Sequence, residues 1–140
     1  MPPKPELCNC LALRQATRLA TQLYDRHLAP SGLRTTQFSI LAKLKHLGPM
    51  SINALAAELV VDRSTLGRNV LPLERDGLIR IEPSGIDARS KELSLTRKGA
   101  ARLGPAIERW HAAQKAFESA YGKERAAQLR TLLRELVTGE

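Results

Sequence analysis

The chain has 140 residues, 43% of them hydrophobic and 26% charged, which is the composition of a folded chain with its own core and excludes a disordered one. Lys and Arg number 22 against 14 acidic residues, a formal charge of +8, and the pI is near 10.1; such an excess suits a polyanion such as nucleic acid but leaves an acidic protein or a membrane surface open. The start, Met1-Pro2-Pro3-Lys4-Pro5-Glu6, has no apolar signal core, and Arg14, Arg18, Asp25 and Arg26 exclude a membrane-spanning first helix, so a cytoplasmic protein with no membrane partner is expected.

After the prolines, Leu7 to about Leu28 reads as a helix with Leu11, Ala12, Ala16, Leu19, Leu23 and Tyr24 as its apolar positions. Ala29-Pro30-Ser31-Gly32 breaks it. Thr35 or Thr36 is placed to cap the next helix, which carries Phe38, Leu41, Leu44 and Leu47 to a stop at Gly48-Pro49. Ser51 then caps a short helix whose stripe is Ile52, Leu55, Ala56 and Leu59. Val60-Val61-Asp62 has room only for a turn, and Asp62 caps a further helix in which Leu66, Val70 and Leu73 face the core.

Round that helix, at about 100° per residue, Ser64 and Arg68 point directly away from the apolar stripe, with Thr65 and Asn69 on one flank and Gly67 on the other. Small, polar and basic residues so placed suit base edges in the major groove, where Arg pairs with guanine and Asn with adenine. An ordinary solvated helix face has the same pattern. Pro72 removes the hydrogen bond to the Arg68 carbonyl and predicts a bend there.

Gly77 ends the helix, and Leu78-Ile79-Arg80-Ile81 and Lys91-Glu92-Leu93-Ser94-Leu95 alternate as half-buried strands. Between them lies the turn-forming loop Pro83-Ser84-Gly85-Ile86-Asp87-Ala88-Arg89-Ser90. Arg89 at a hairpin tip can enter a narrow minor groove; it can equally pair with Asp87 or stay in solvent. Helix, turn, helix and hairpin, in that order, predict a winged helix-turn-helix and hence DNA binding.

Beyond the hairpin Thr96 caps a long helix bearing Leu103, Ile107, Trp110, Gln114, Phe117 and Tyr121, with Pro105 set against its continuity. After Gly122, Lys123 to Val137 carries a broad face of Ala126, Leu129, Leu132, Leu133, Leu136 and Val137. The terminal helices hold more apolar face than a lobe of this size covers, which predicts a partner chain across a two-fold axis. The expected fold is mainly α with a small β-hairpin wing. Residues 1–34 form an N-terminal dimerisation helix, 35–99 the winged helix-turn-helix lobe and 100–140 the C-terminal dimerisation helices.

The run Asp87-x-Arg89-x-x-x-Leu93-x-Leu95-Thr96-x-x-Gly99, preceded by Leu73-Glu74-x-x-Gly77-Leu78-Ile79, resembles the signature of the MarR (multiple antibiotic resistance regulator) family. The resemblance implies a helical homodimer with two winged lobes that binds a pseudo-palindromic operator and represses until a small molecule or an oxidant releases it. It also implies that Arg89 enters the minor groove with Asp87 holding it, and that Ser64, Thr65, Arg68 and Asn69 contact bases and phosphates. Arg63 and Lys91 complete the set of expected DNA-contacting residues.

Cys8 and Cys10 are the two cysteines, a poor zinc signature, and they read either as small packing residues or as a thiol site near a helix start, with Cys10 made reactive by that start and by Arg14. The peroxide-sensing branch of the family carries a reactive Cys in its first helix and, fourteen residues on, a Tyr that bonds to it from the other subunit. Cys10 and Tyr24 have that separation, whereas Thr35 stands where the branch has a second Tyr, and Leu11 and Leu13 replace its aromatics. His27, His46 and His111 fall on separate helices, and no nucleophile elbow or phosphate loop is present, so neither a metal, a cofactor nor an enzyme is expected. The competing functional reading is an architectural nucleoid protein with little sequence preference.

Overall fold

A computed structural model describes residues 1–87 and 89–140; Ala88, in the expected hairpin loop, lies outside the described residues. Among the described residues, six helices and three strands follow in the order α1 (Asn9–Leu28), α2 (Thr35–Leu47), β1 (Met50–Ser51), α3 (Ile52–Leu59), α4 (Arg63–Arg75), β2 (Ile79–Pro83), β3 (Lys91–Leu95), α5 (Arg97–Tyr121) and α6 (Lys123–Thr138). Single 3-10 turns at Pro5–Leu7 and Ala29–Ser31 flank α1.

The helix ends follow the capping residues. Ser51 Oγ accepts the Ala54 N–H at 3.0 Å, Asp62 Oδ1 accepts the Thr65 N–H at 2.6 Å, and Thr96 Oγ1 accepts the Gly99 N–H at 2.9 Å. At the end of α4 the N–H groups of Gly77 and Leu78 return to the carbonyls of Glu74 and Leu73, with Gly77 at φ 76° supplying the left-handed step. The same closure ends α3, where Val60 and Val61 reach the Ala57 and Ala56 carbonyls. There the left-handed residue is Val60, at φ 55° and ψ 47°, a conformation that a β-branched side chain resists.

The cap expected from Thr35 or Thr36 lies elsewhere. Arg34 holds the N-cap position of α2, its own N–H donates to Gln37 Oε1 at 3.0 Å, and the Thr35 N–H donates to Asp25 Oδ1 of α1 at 2.7 Å. The first turn of α2 is therefore satisfied by a carboxylate ten residues upstream, a tertiary contact that no local pattern reveals. Pro105 likewise fails to break α5, which is continuous from Arg97 to Tyr121. The residue before a proline resists helical geometry because its Cβ meets the ring, and here that residue is Gly104.

The sheet is antiparallel in the order β1-β3-β2, so the predicted hairpin gains a third strand of two residues. Met50, Leu93 and Ile81 share one row of the register, and Leu93 at its centre is fully buried. The core joins this row to Leu41 and Leu44 of α2, Leu55 of α3, Leu66, Val70 and Leu73 of α4, and Leu103 of α5. Among the described residues no polar or charged side chain is buried. α1 lies along α5, yet it buries only Leu28, and α6 buries only Ala126.

Candidate nucleic-acid interface

On α4 the sequence separates two faces cleanly. Leu66, Val70 and Leu73 are at most 1% exposed, while Arg63, Ser64, Arg68 and Asn69 are exposed and Thr65 is half-buried. Burial of the apolar stripe fixes the roll of the helix, and the roll fixes which residues face outward. Arg68 stays close to the helix surface, with Nη2 at 3.5 Å from Thr65 Oγ1. The Asp62 carboxylate is held below its ordinary pKa by the hydrogen bonds of its capping role, the backbone N–H of Thr65 first. Its charge therefore stays at the start of α4, which it anchors.

The hairpin positions the second element. Ser84 Oγ accepts from the N–H groups of Ile86 and Asp87, and the Ser84 N–H donates to the Ser90 carbonyl at 2.8 Å, which closes the loop on itself. Asp87 Oδ1 accepts the Arg89 backbone N–H at 3.0 Å and lies 3.7 Å from Arg89 Nε. The Arg89 side chain is 95% exposed, so this ion pair orients the guanidinium without burying it. Lys91 stands exposed at the foot of β3, in register with Pro83.

Hairpin and α4 are joined rigidly. Thr96 donates its hydroxyl to the Gly77 carbonyl at 2.6 Å and its backbone N–H to the Leu78 carbonyl at 3.1 Å, tying the end of α4, the start of β2 and the start of α5 together. Gly99 is required by that junction, because a Cβ there would stand 2.0 Å from the Leu78 carbonyl oxygen. The Leu-Thr-x-x-Gly element of the sequence is thus the joint on which the wing is mounted.

The thiol positions differ from the sequence reading in one respect. Cys8 holds the N-cap position of α1, its Sγ accepting the Leu11 N–H at 3.3 Å, while Cys10 lies within the first turn; both are free and exposed. Tyr24 lies fourteen residues from Cys10 on the same helix, about 21 Å along its axis, so the two cannot meet within one chain. Instead the Tyr24 hydroxyl donates to Gln114 Oε1 of α5. Burial, with Glu118 adding to it, raises the pKa of this phenol and keeps it a donor.

The family resemblance also implies a ligand pocket between the terminal helices and the winged lobe, and a cavity of about 490 Å³ lies between α1, α2 and α5, lined by Tyr24, Thr35, Phe38, Lys43, His46 and Trp110 among others. Phe38 and Trp110 stack there with ring centroids 6.3 Å apart. The lining itself is not legible from the sequence, where the spacing of Lys43 and His46, three residues apart on α2, is the available signal. Nor is Leu71, 56% exposed on α4.

A helix-turn-helix with a basic outward face, followed by an Arg-tipped hairpin, defines a winged-helix DNA-binding protein. The MarR family model matches residues 33–91. The chain is 31% identical over 111 residues to an HTH-type transcriptional regulator of Bacillus cereus, covering 79% of this chain and 71% of that protein. It is 32% identical over 101 residues to the transcriptional activatory protein BadR of Rhodopseudomonas palustris, covering 69% of this chain and 58% of BadR. Its structure superposes on M. tuberculosis MosR in complex with DNA with a TM-score of 0.77 and 37% identity, over 92% of this chain and 98% of that one. The chain belongs to the MarR family, a family of transcriptional regulators and not of enzymes. It spans 58–62% of the length of two curated relatives that it matches.

Proposed function

We propose that the chain is a homodimeric repressor that binds a pseudo-palindromic operator and leaves it when a small aromatic anion fills the α1–α2–α5 cavity. The observation that carries the reading is the division of α4: its core stripe is sealed, and Ser64, Arg68 and Asn69 stand exposed beside the wing. MosR, similar over nearly its whole length, has a crystal structure in complex with DNA. The exposed Leu19, Leu132, Leu136 and Val137 of α1 and α6 suit a two-fold partner, which would set the two reading helices about one DNA turn, roughly 34 Å, apart. The cavity volume lies in the range that takes small ligands. Its aromatic walls and the two basic side chains favour an aromatic carboxylate, which would compete with Glu58 for Lys43, now 3.0 Å apart.

Selection of bound sequences from random DNA supplies the operator. Wild type is then expected to prefer it to random DNA by more than about 10³ at physiological salt. Arg68→Ala should relax base preference and cost about 1–3 kcal/mol, and Arg89→Ala should weaken binding and blunt A·T preference beside the major-groove contacts. Equal affinity for all sequences would overturn the reading in favour of an architectural protein. A reporter under the operator gives the sign of regulation: activation, as in BadR's name, would refute repression.

A second route of release rests on the N-terminal thiols. Cys8 Sγ accepts the Leu11 N–H at 3.3 Å, Cys10 lies in the same first turn, and both thiols are free and exposed. A thiolate attacking the O–O bond of an organic hydroperoxide yields a sulfenic acid and an alcohol. If wild type, Cys8→Ser and Cys10→Ser bind the operator alike before and after hydroperoxide, this route is wrong.

A further inference from the structure

We infer that Leu71 is a specificity-determining residue that reads thymine by packing its side chain on the 5-methyl group; this rests on the DNA-binding reading of α4. At about 100° per residue, Ser64, Arg68, Leu71 and Arg75 fall within about 60° of one another, opposite Leu66, Val70 and Leu73. Leu71 is 56% exposed on that outward stripe, between two arginines.

Neither the core nor the helix accounts for a leucine here. The side chain is absent from the buried cluster, which takes Val70 and Leu73 on either side of it. It precedes Pro72, a position where a Cβ is disfavoured in helical backbone. The other large exposed apolar residues fall mostly on α1, α5 and α6, the faces proposed for the second subunit, and α4 is not one of these.

The chemistry of the groove supplies the use. Among the bases only thymine presents a methyl group in the major groove, and aliphatic side chains contact it. Leu71 is three residues, about 4.5 Å of helix rise, from Arg68, so it addresses a base one or two pairs from the one that Arg68 addresses. The expected half-site therefore pairs a guanine with a nearby thymine, and the leucine is desolvated only when that methyl is present.

The test replaces each thymine of the selected operator by deoxyuridine, which removes the methyl and leaves every hydrogen-bonding group. Wild type is expected to lose about fourfold in affinity at one position of each half-site, the worth of one buried methyl, and about fifteenfold when both half-sites are changed. Leu71→Ala should bind the thymine operator more weakly and show no thymine-uracil difference, while Leu71→Met keeps it. Unchanged thermal melting of both variants verifies their fold. Indifference of wild type to every replacement, or a thymine preference that survives in Leu71→Ala, overturns this inference alone. Failure of selection to enrich any site overturns the DNA reading beneath it.

Discussion

Replacing Gly99 by Ala tests whether the joint at the foot of the wing is as tight as its geometry says. The added Cβ would stand 2.0 Å from the Leu78 carbonyl oxygen, 2.8 Å from Leu95 Cδ1 and 3.0 Å from the Leu78 carbonyl carbon. A carbon rests about 3.3 Å or more from a carbonyl oxygen, so α5 must withdraw by more than about 1 Å. Leu95 can turn aside; the Leu78 carbonyl is held by the Thr96 N–H at 3.1 Å and cannot. Withdrawal strains the two hydrogen bonds of the Thr96 hydroxyl, to the Gly77 carbonyl and from the Gly99 N–H, each worth about 1 kcal/mol. Overpacking adds about 1–3 kcal/mol, and the helix preference of Ala over Gly returns about 1. The expected net loss is about 2–4 kcal/mol, or roughly 10 °C in Tm for a chain of this length. Urea denaturation at fixed protomer concentration measures it. Gly67→Ala is the control: its Cβ meets nothing within 4 Å, so it should be neutral or stabilising by up to about 1 kcal/mol. A Gly99→Ala protein as stable as wild type would refute the reasoning.

Three further outcomes follow from the caps and faces. Val60→Gly should stabilise by about 1 kcal/mol, because glycine accepts the left-handed turn that valine resists; a loss in urea denaturation would show the strain to be absent. Asp62 has a lowered pKa in the folded chain, so the stability it adds is full above its ordinary value of 3.8 and fades as pH falls through the folded value. The advantage of wild type over Asp62→Asn, which keeps the capping acceptor, should accordingly be constant from pH 5 to 7 and vanish in acid; an advantage that grows in acid would contradict the assignment. Leu136→Lys should weaken the proposed dimer by about 2–4 kcal/mol, counted over two copies, and move light-scattering mass toward one chain at micromolar concentration; an unchanged mass would exclude α6 from the proposed interface.

Most of this fold was readable because its signals are local. Ser51, Asp62 and Thr96 cap within three residues, Gly77 closes its own helix, and the stripe Leu66-Val70-Leu73 fixes the roll of α4 by period alone. What escaped the reading was built from distance. β1 is two residues long and exists only through its pairing with β3, the start of α2 is satisfied by Asp25 of α1, and the side chains that wall the cavity come from three helices, although a pocket between the terminal helices and the lobe is implied by the family resemblance. Leu71 was passed over for a different reason: it interrupts a polar face, and the period that marks core residues assigns it no place.

The Thr96 joint also constrains how a signal from the cavity could reach DNA. With the end of α4 and the start of β2 latched to the first turn of α5, a tilt of α5 would carry helix and wing with it as one body. Regulation would then act as calipers do, by opening or closing the span between two fixed points while the shape of each point stays the same. On the proposed reading, a ligand would need to shift that span by only a fraction of the base-pair rise before one half of the operator fell out of step.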